Sequence, residues 1–183
     1  DVCSSDLRSL VWTSPTIGYV IFVDNGNDLV YRKTTDGGAT WSARTDIRAG
    51  TVKNVSVWFD KWTDGDTGTV IHIAYQDTQI DDTLYRSLDT NGDVFGTETV
   101  VNAGSSYSAT NTWALKMVDI TKSRGGNLYI GFWGDTVGEK GFKRCTGTCD
   151  VAGNWTSRAE VADGNAVDRI LLLPGNETDN NDI

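Results

Sequence analysis

Three aspartates, Asp24, Asp77 and Asp135, each close an apolar run and stand at matching places in the chain. Carboxylates drawn together in a ring could carry out acid/base chemistry on a glycosidic bond or hold a cation. The competing reading is that each caps its own turn, and a repeat would copy such a cap into every unit. The turn-cap reading is favoured. The loops that begin at these residues are DNGND (24–28), QDTQIDD (76–82, ending in Asp82) and GDTVGEK (134–140). The connections RAGTVKN (48–54), NAGSSYSATNT (102–112) and ADGNAV (162–167) lie beside them. Together they offer few cations: Arg48, Lys53, Lys140 and the nearby Arg169.

Other residues with chemical potential read mostly as structure. Trp58, Trp62, Trp113 and Trp133 could stack on sugars, yet a strand tryptophan more often packs between sheets. Tyr107 and Trp113, in or beside a long connection, are the best pair for a ligand-facing role. His72 stands alone on a strand, with no nucleophile or metal partner in view, and reads as a packing residue. DGDTG (64–68) and DTNGD (89–93) resemble acidic calcium loops but lack the spaced Glu that completes an EF-hand. No metal and no cofactor is expected.

The elements that would position these residues repeat. YVIFVDNGNDLVYRKTTDGGATWSARTDI, TVIHIAYQDTQIDDTLYRSLDTNGDVFGTETVV and LYIGFWGDTVGEKGFKRCTGTCDVAGNWTSRAEV share one order. Each runs from an apolar strand ending in Asp, through a polar loop, to a Tyr/Phe-plus-basic strand. A Gly-rich turn, an aromatic (Trp41, Phe95, Trp155) and a short last strand follow. A further apolar run precedes each: SLVWTS, NVSVWFD and WALKMVDI, with VDRILLLPG as a fourth copy. In VIHIAYQ, Ile71, Ile73 and Tyr75 fall on one face and His72, Ala74 and Gln76 on the other. Pro15 and Pro174 both fall in the turn after a first strand, where a missing N–H costs little. The expected fold is all-β: four-stranded antiparallel units repeated as the blades of a partial β-propeller. The expected blades span about 8–48, 53–102 and 112–162, with the first strand of a fourth in 166–183.

The stretch TTDGGATW fits Ser/Thr-x-Asp-x-Gly-x-Thr-Trp at Thr34, Asp36, Gly38, Thr40 and Trp41. Here the chain resembles the Asp-box, or BNR-repeat, propellers, whose best-known members are sialidases. The physics suits a hairpin between third and fourth strands. Asp36 is placed to accept backbone N–H bonds of its own turn, Gly37 and Gly38 tolerate positive φ, and Trp41 is expected to bury its ring between blades. A looser copy keeps Ser87, Asp89, Gly92 and Phe95; a third keeps only the turn and Trp155. The resemblance implies that such boxes lie away from a catalytic opening, and they recur in non-enzymatic propellers. It also implies that a sialidase would need an Arg cluster, a Tyr/Glu nucleophile pair and an acid Asp. No Arg-Ile-Pro motif is present, and Arg32, Arg86 and Arg144 recur on third strands, away from the axis.

Composition narrows the setting. The chain has 183 residues, with 16 basic against 25 acidic and a net charge of −9. Phosphate backbones are repelled, so nucleic acid is excluded as a partner. No apolar run reaches the length of a membrane span. Residues 1–7, DVCSSDL, resemble translated sequencing adaptor and are set aside together with Cys3. The chain is expected to be an internal piece of a longer propeller, its remaining blades being its own first partners. Cys145 and Cys149 flank TGT, and opposed hairpin residues have Cα atoms about 4.5–5.5 Å apart, within disulfide reach. A disulfide is favoured over two free thiols or half a metal site, since His72 is the only histidine and no four-ligand zinc set exists. That points to an extracellular or cell-surface location.

The functional expectation is a recognition or scaffold propeller with glycans or cell-surface proteins as partners. The alternative is part of a sialidase-like glycoside hydrolase whose catalytic residues lie mostly elsewhere. A structural repeat in a large surface protein is the third.

Overall fold

A computed structural model describes residues 9–80, 82–103, 118–133, 140–157 and 172–173. The chain forms three antiparallel sheets, each built from strands consecutive in sequence. The first orders β1 (Leu10–Trp12), β2 (Gly18–Val23), β3 (Leu29–Thr34) and β4 (Thr45–Arg48) side by side. The second orders β5 (Val52–Phe59), β6 (Val70–Asp77), β7 (Asp82–Asp89) and β8 (Val94–Phe95). Here β9 (Thr99–Ala103) also pairs with β7, so two short pieces share the fourth position. The third orders β10 (Val118–Lys122), β11 (Leu128–Trp133), β12 (Lys140–Cys145) and β13 (Trp155–Ser157). Helical structure among the described residues is limited to short 3-10 turns, such as Asp60–Trp62 and Ala152–Asn154.

Alternation explains how the sheets stack. Side chains on a strand point to opposite faces in turn. On β6, Ile71, Ile73 and Tyr75 enter a core shared with Val11, Tyr19, Ile21 and Tyr31 of the first sheet. Ala74 points the other way, into a second core with Ile120, Ile130 and Phe132 of the third. The middle sheet is therefore buried on both faces, apolar toward the first sheet and carrying buried His72 and Gln76 beside Ala74 toward the third.

Register shows that the sheets repeat one design. Val20 pairs with Arg32, Ile73 with Arg86, and Ile130 with Lys143. The third-sheet counterpart of Arg32 and Arg86 is thus Lys143, and the sequence alignment on Arg144 is one residue out. Arg144 lies on the opposite face of β12.

Each sheet meets its predecessor through the same strand positions. The Phe95 ring contacts Tyr31 of the first sheet edge-on at 5.9 Å, and the Trp155 ring contacts Tyr85 of the second at 5.3 Å. Trp41, the counterpart in the first sheet, is only half-buried and belongs to neither core. The Phe95 and Trp155 rings use a third-strand tyrosine of the sheet before, and among the described residues the first sheet has no sheet before it. The same face explains Leu10 and Trp12, which are 39% and 41% exposed, whereas their register counterparts Val57 and Phe59 are 0% and 2%. The indole of Trp12 instead lies flat over Gly18, where an added Cβ would come within 2.8 Å of Cε3.

Candidate functional site

The hairpin at 34–41 is built around one carboxylate. The Thr34 hydroxyl donates to Asp36 Oδ1 at 2.8 Å, and the Thr40 backbone N–H donates to the same oxygen at 2.9 Å. The Thr40 hydroxyl donates to Oδ2 at 2.5 Å, and Gly38 N–H donates to Thr34 Oγ1 at 2.9 Å. Gly37 and Gly38 have φ of 75° and 91°, a region in which other residues are strained. The Thr40 hydroxyl, then the Thr40 N–H and the Thr34 hydroxyl, hold the Asp36 carboxyl down to about 2. The residue types of the motif therefore make a turn and leave no carboxylate oxygen uncommitted for chemistry.

The looser copies are wired differently. Asp89 accepts from Asn91 N–H and from the Thr69 hydroxyl, both at 3.0 Å. Ser87 turns away from Asp89 and donates to Asp150 of the third sheet at 2.9 Å. Gly92 sits in the hairpin before β8, and its φ is not positive; Asp93 takes the left-handed conformation with φ 55°. In the third sheet a disulfide joins Cys145 and Cys149, Cα atoms 5.8 Å apart, and Trp155 Nε1 donates to the Cys149 carbonyl at 2.9 Å.

At the opposite end of the strands the aspartates are also committed. Asp24 accepts from Gly26 N–H at 2.8 Å and Asp28 N–H at 3.1 Å, and pairs with Arg44. Slight burial raises its carboxyl, but these bonds outweigh it and the net shift is downward. Asp77 is 1% exposed and accepts from Thr51 Oγ1 at 2.7 Å, Gln79 N–H at 2.8 Å and Arg48 Nε at 2.6 Å. Burial pushes its carboxyl up, and those three donors more than reverse it. Asp82 opens β7 directly opposite Asp77. Asp135, Tyr107 and Trp113 lie outside the described residues.

Arg48 joins a second carboxylate. It pairs with Glu98, whose other oxygen accepts the Tyr75 hydroxyl at 2.6 Å. Tyrosine, glutamate and arginine together are the residue types a sialidase would use. Their placement is unsuitable for that: Tyr75 is fully buried in the first core, and burial, then Glu98, push its hydroxyl up well beyond the ordinary range. A nucleophile must be reachable and able to lose its proton, and this one is neither.

The structure brings together one cluster that local sequence could not show. His72 Nε2 lies 2.8 Å from Asp60 Oδ1, and His72 Nδ1 lies 2.7 Å from the Tyr85 hydroxyl. Lys122, from the third sheet, bonds the same Asp60 oxygen and pairs with Asp66 at 2.8 Å. Asp60 Oδ2 accepts Val70 N–H at 2.8 Å. Burial alone would raise the Asp60 carboxyl, but His72 and Lys122 hold it well below the carboxylate range. An ionised Asp60 only accepts, so Nε2 carries a hydrogen. Burial lowers the His72 ring more than Asp60 raises it, so the ring is neutral and Nδ1 accepts from Tyr85. His72 is thus far from a lone packing residue: its two hydrogen-bond partners come from two other segments, and Lys122 of a third joins through Asp60.

The acidic loop at 64–68 is likewise neutralised, with Asp64 paired to Arg124 at 3.2 Å and Asp66 to Lys122. Among the described residues no group of three His, Cys, Asp or Glu is arranged to hold a metal. Trp58 is buried, donates to Thr63 Oγ1 at 2.9 Å and meets Trp62 edge-on. No helix among the described residues is long and apolar enough to cross a membrane. Compared with protein-family models and with curated proteins, the chain matches none.

Proposed function

We propose that the chain is a portion of an Asp-box β-propeller serving as a secreted recognition or scaffold module, with glycans or cell-surface proteins as its partners. The observation that carries this reading is the use made of the strand-end acids. Asp24, Asp77 and Glu98 are each paired with arginine, and Asp24 and Asp77 also accept turn N–H groups, so they act as structural supports rather than acid/base centres. The Asp36 hairpin and the recurrence of one sheet design at two successive junctions support the propeller architecture. The Cys145–Cys149 disulfide suits an oxidising compartment.

The alternative is part of a sialidase-like glycoside hydrolase whose catalytic residues lie mostly elsewhere, because the Tyr75–Glu98–Arg48 constellation has the residue types but buries its tyrosine. The two are separated by assaying the chain with a fluorogenic sialoside and, in parallel, on immobilised glycans. The module reading expects no turnover in the wild type and saturable binding to a defined glycan set. Turnover of the sialoside by the wild type would overturn it in favour of the hydrolase.

A further inference from the structure

The junction between the second and third sheets contains a titratable chain that recognition does not use. The geometry points to His72 as an acid-released latch: its neutral ring ties Tyr85, on which Trp155 of the third sheet rests, to Asp60, which Lys122 of the third sheet bonds, and protonation undoes the tie and loosens the third sheet. This rests on the junction alone and holds whether or not the sheets belong to a propeller.

Every charged or titratable group around the ring contributes. Asp60 faces it from the 3-10 turn, Lys122 from β10, Asp66 from the loop before β6, and Tyr85 from β7. Beyond Tyr85 stand Ser87 and Asp150, the latter from the third-sheet hairpin. A proton arriving at Nδ1 would face a hydroxyl that is already donating to that nitrogen. Tyr85 would have to turn its hydrogen toward Ser87, which is itself committed to Asp150. Asp60 favours the imidazolium, but Lys122 on the same oxygen opposes it and burial of the ring outweighs the attraction. The folded chain therefore resists the proton, in agreement with the lowering that burial imposes on the ring. The unfolded chain does not resist it, and takes it up near pH 6.5.

The sign follows from linkage. A base whose folded value is lowered binds fewer protons folded than unfolded, so stability falls as pH drops below about 6.5 and goes on falling until the folded value is reached. The unfolding constant should rise about tenfold per pH unit in that window. The latch couples this loss to one place, because Trp155 rests on Tyr85 and Lys122 belongs to the third sheet.

His72 is the only histidine, so its ring carbon–proton signal in NMR needs no assignment. The test is to titrate the intact chain and to measure urea unfolding from pH 5 to pH 7.5 beside His72→Gln and Tyr85→Phe. The expected results are a ring midpoint below 6.5, a hydrogen on Nε2 at neutral pH, and a pH dependence that His72→Gln removes. Tyr85→Phe, which takes away the donor that favours the neutral ring, should move the midpoint upward. A wild-type midpoint at or above 6.5, or an unchanged pH dependence in His72→Gln, overturns the proposal. Should His72→Gln not fold, the wild-type titration decides by itself.

Discussion

Both sheet junctions bury an apolar core but handle polar groups in different ways. Between the first and second sheets the core is apolar side chains and tyrosine rings, and charge sits at the margins. Lys33 and Tyr19 meet Asp93 at one end, and Arg48 meets Asp77 and Glu98 at the other. Between the second and third sheets polar groups run through the middle. Ser56 donates to the fully buried Asp119 at 2.7 Å, Trp58 to Thr63, and the Tyr85–His72–Asp60–Lys122 chain crosses from sheet to sheet. Apolar packing tolerates sliding, whereas a buried hydrogen-bonded chain is satisfied in one arrangement only. The first junction is therefore tied by polar groups at its ends, and the second through its middle, where it is sensitive to protonation.

The largest test of this contrast is Asp60→Ala. It orphans the His72 N–H and leaves Lys122 with Asp66 alone, and removing one partner of a buried pair costs about 3–5 kcal/mol. Chemical denaturation should place it toward the lower end, since Asp66 remains. Next comes Ile73→Ala in the first core, where cavity formation costs about 3 kcal/mol. That loss should be the same at pH 5.5 and 7.5, unlike any change at His72. Replacing Cys145 and Cys149 by Ser should cost about 2 kcal/mol on the chain-entropy model. Hydrogen exchange should show the effect concentrated in β12 and β13. The smallest effect belongs to Asp36→Asn, since the hairpin is exposed. Its contribution is present above about pH 4 and disappears as pH falls toward about 2, so the variant and wild type should melt together in strong acid.

The architecture was legible because it is written at short range. Alternation in VIHIAYQ placed Ile71, Ile73 and Tyr75 on one face of β6 and Ala74 on the other, and the two cores divide along that line. Cys145 and Cys149 were readable as a disulfide because the hairpin holds both ends within five residues. What escaped was assembled from distant segments. His72 lies 12 residues from Asp60, 13 from Tyr85 and on a different sheet from Lys122, and no local pattern joins them. Arg48 and Asp77, both singled out in sequence for their loops, turned out to bind each other. The Arg144 alignment failed for a simpler reason. Two basic residues stand together on β12, and only the strand pairing shows that Lys143 holds the repeated position.

The junction bonds themselves repeat from unit to unit. Ile120 N–H donates to Ser56 Oγ at 3.4 Å, and at the matching place Leu172 N–H donates to Asp119 Oδ2 at 2.7 Å. A unit that carries both halves of this contact, a side-chain acceptor on one face and a backbone donor on the other, fits any neighbour of its own kind. One acceptor-and-donor contact can thus serve successive units, while the bonds that differ, such as Arg48–Asp77 at one junction and Lys122–Asp60 at the other, give each junction its own partner.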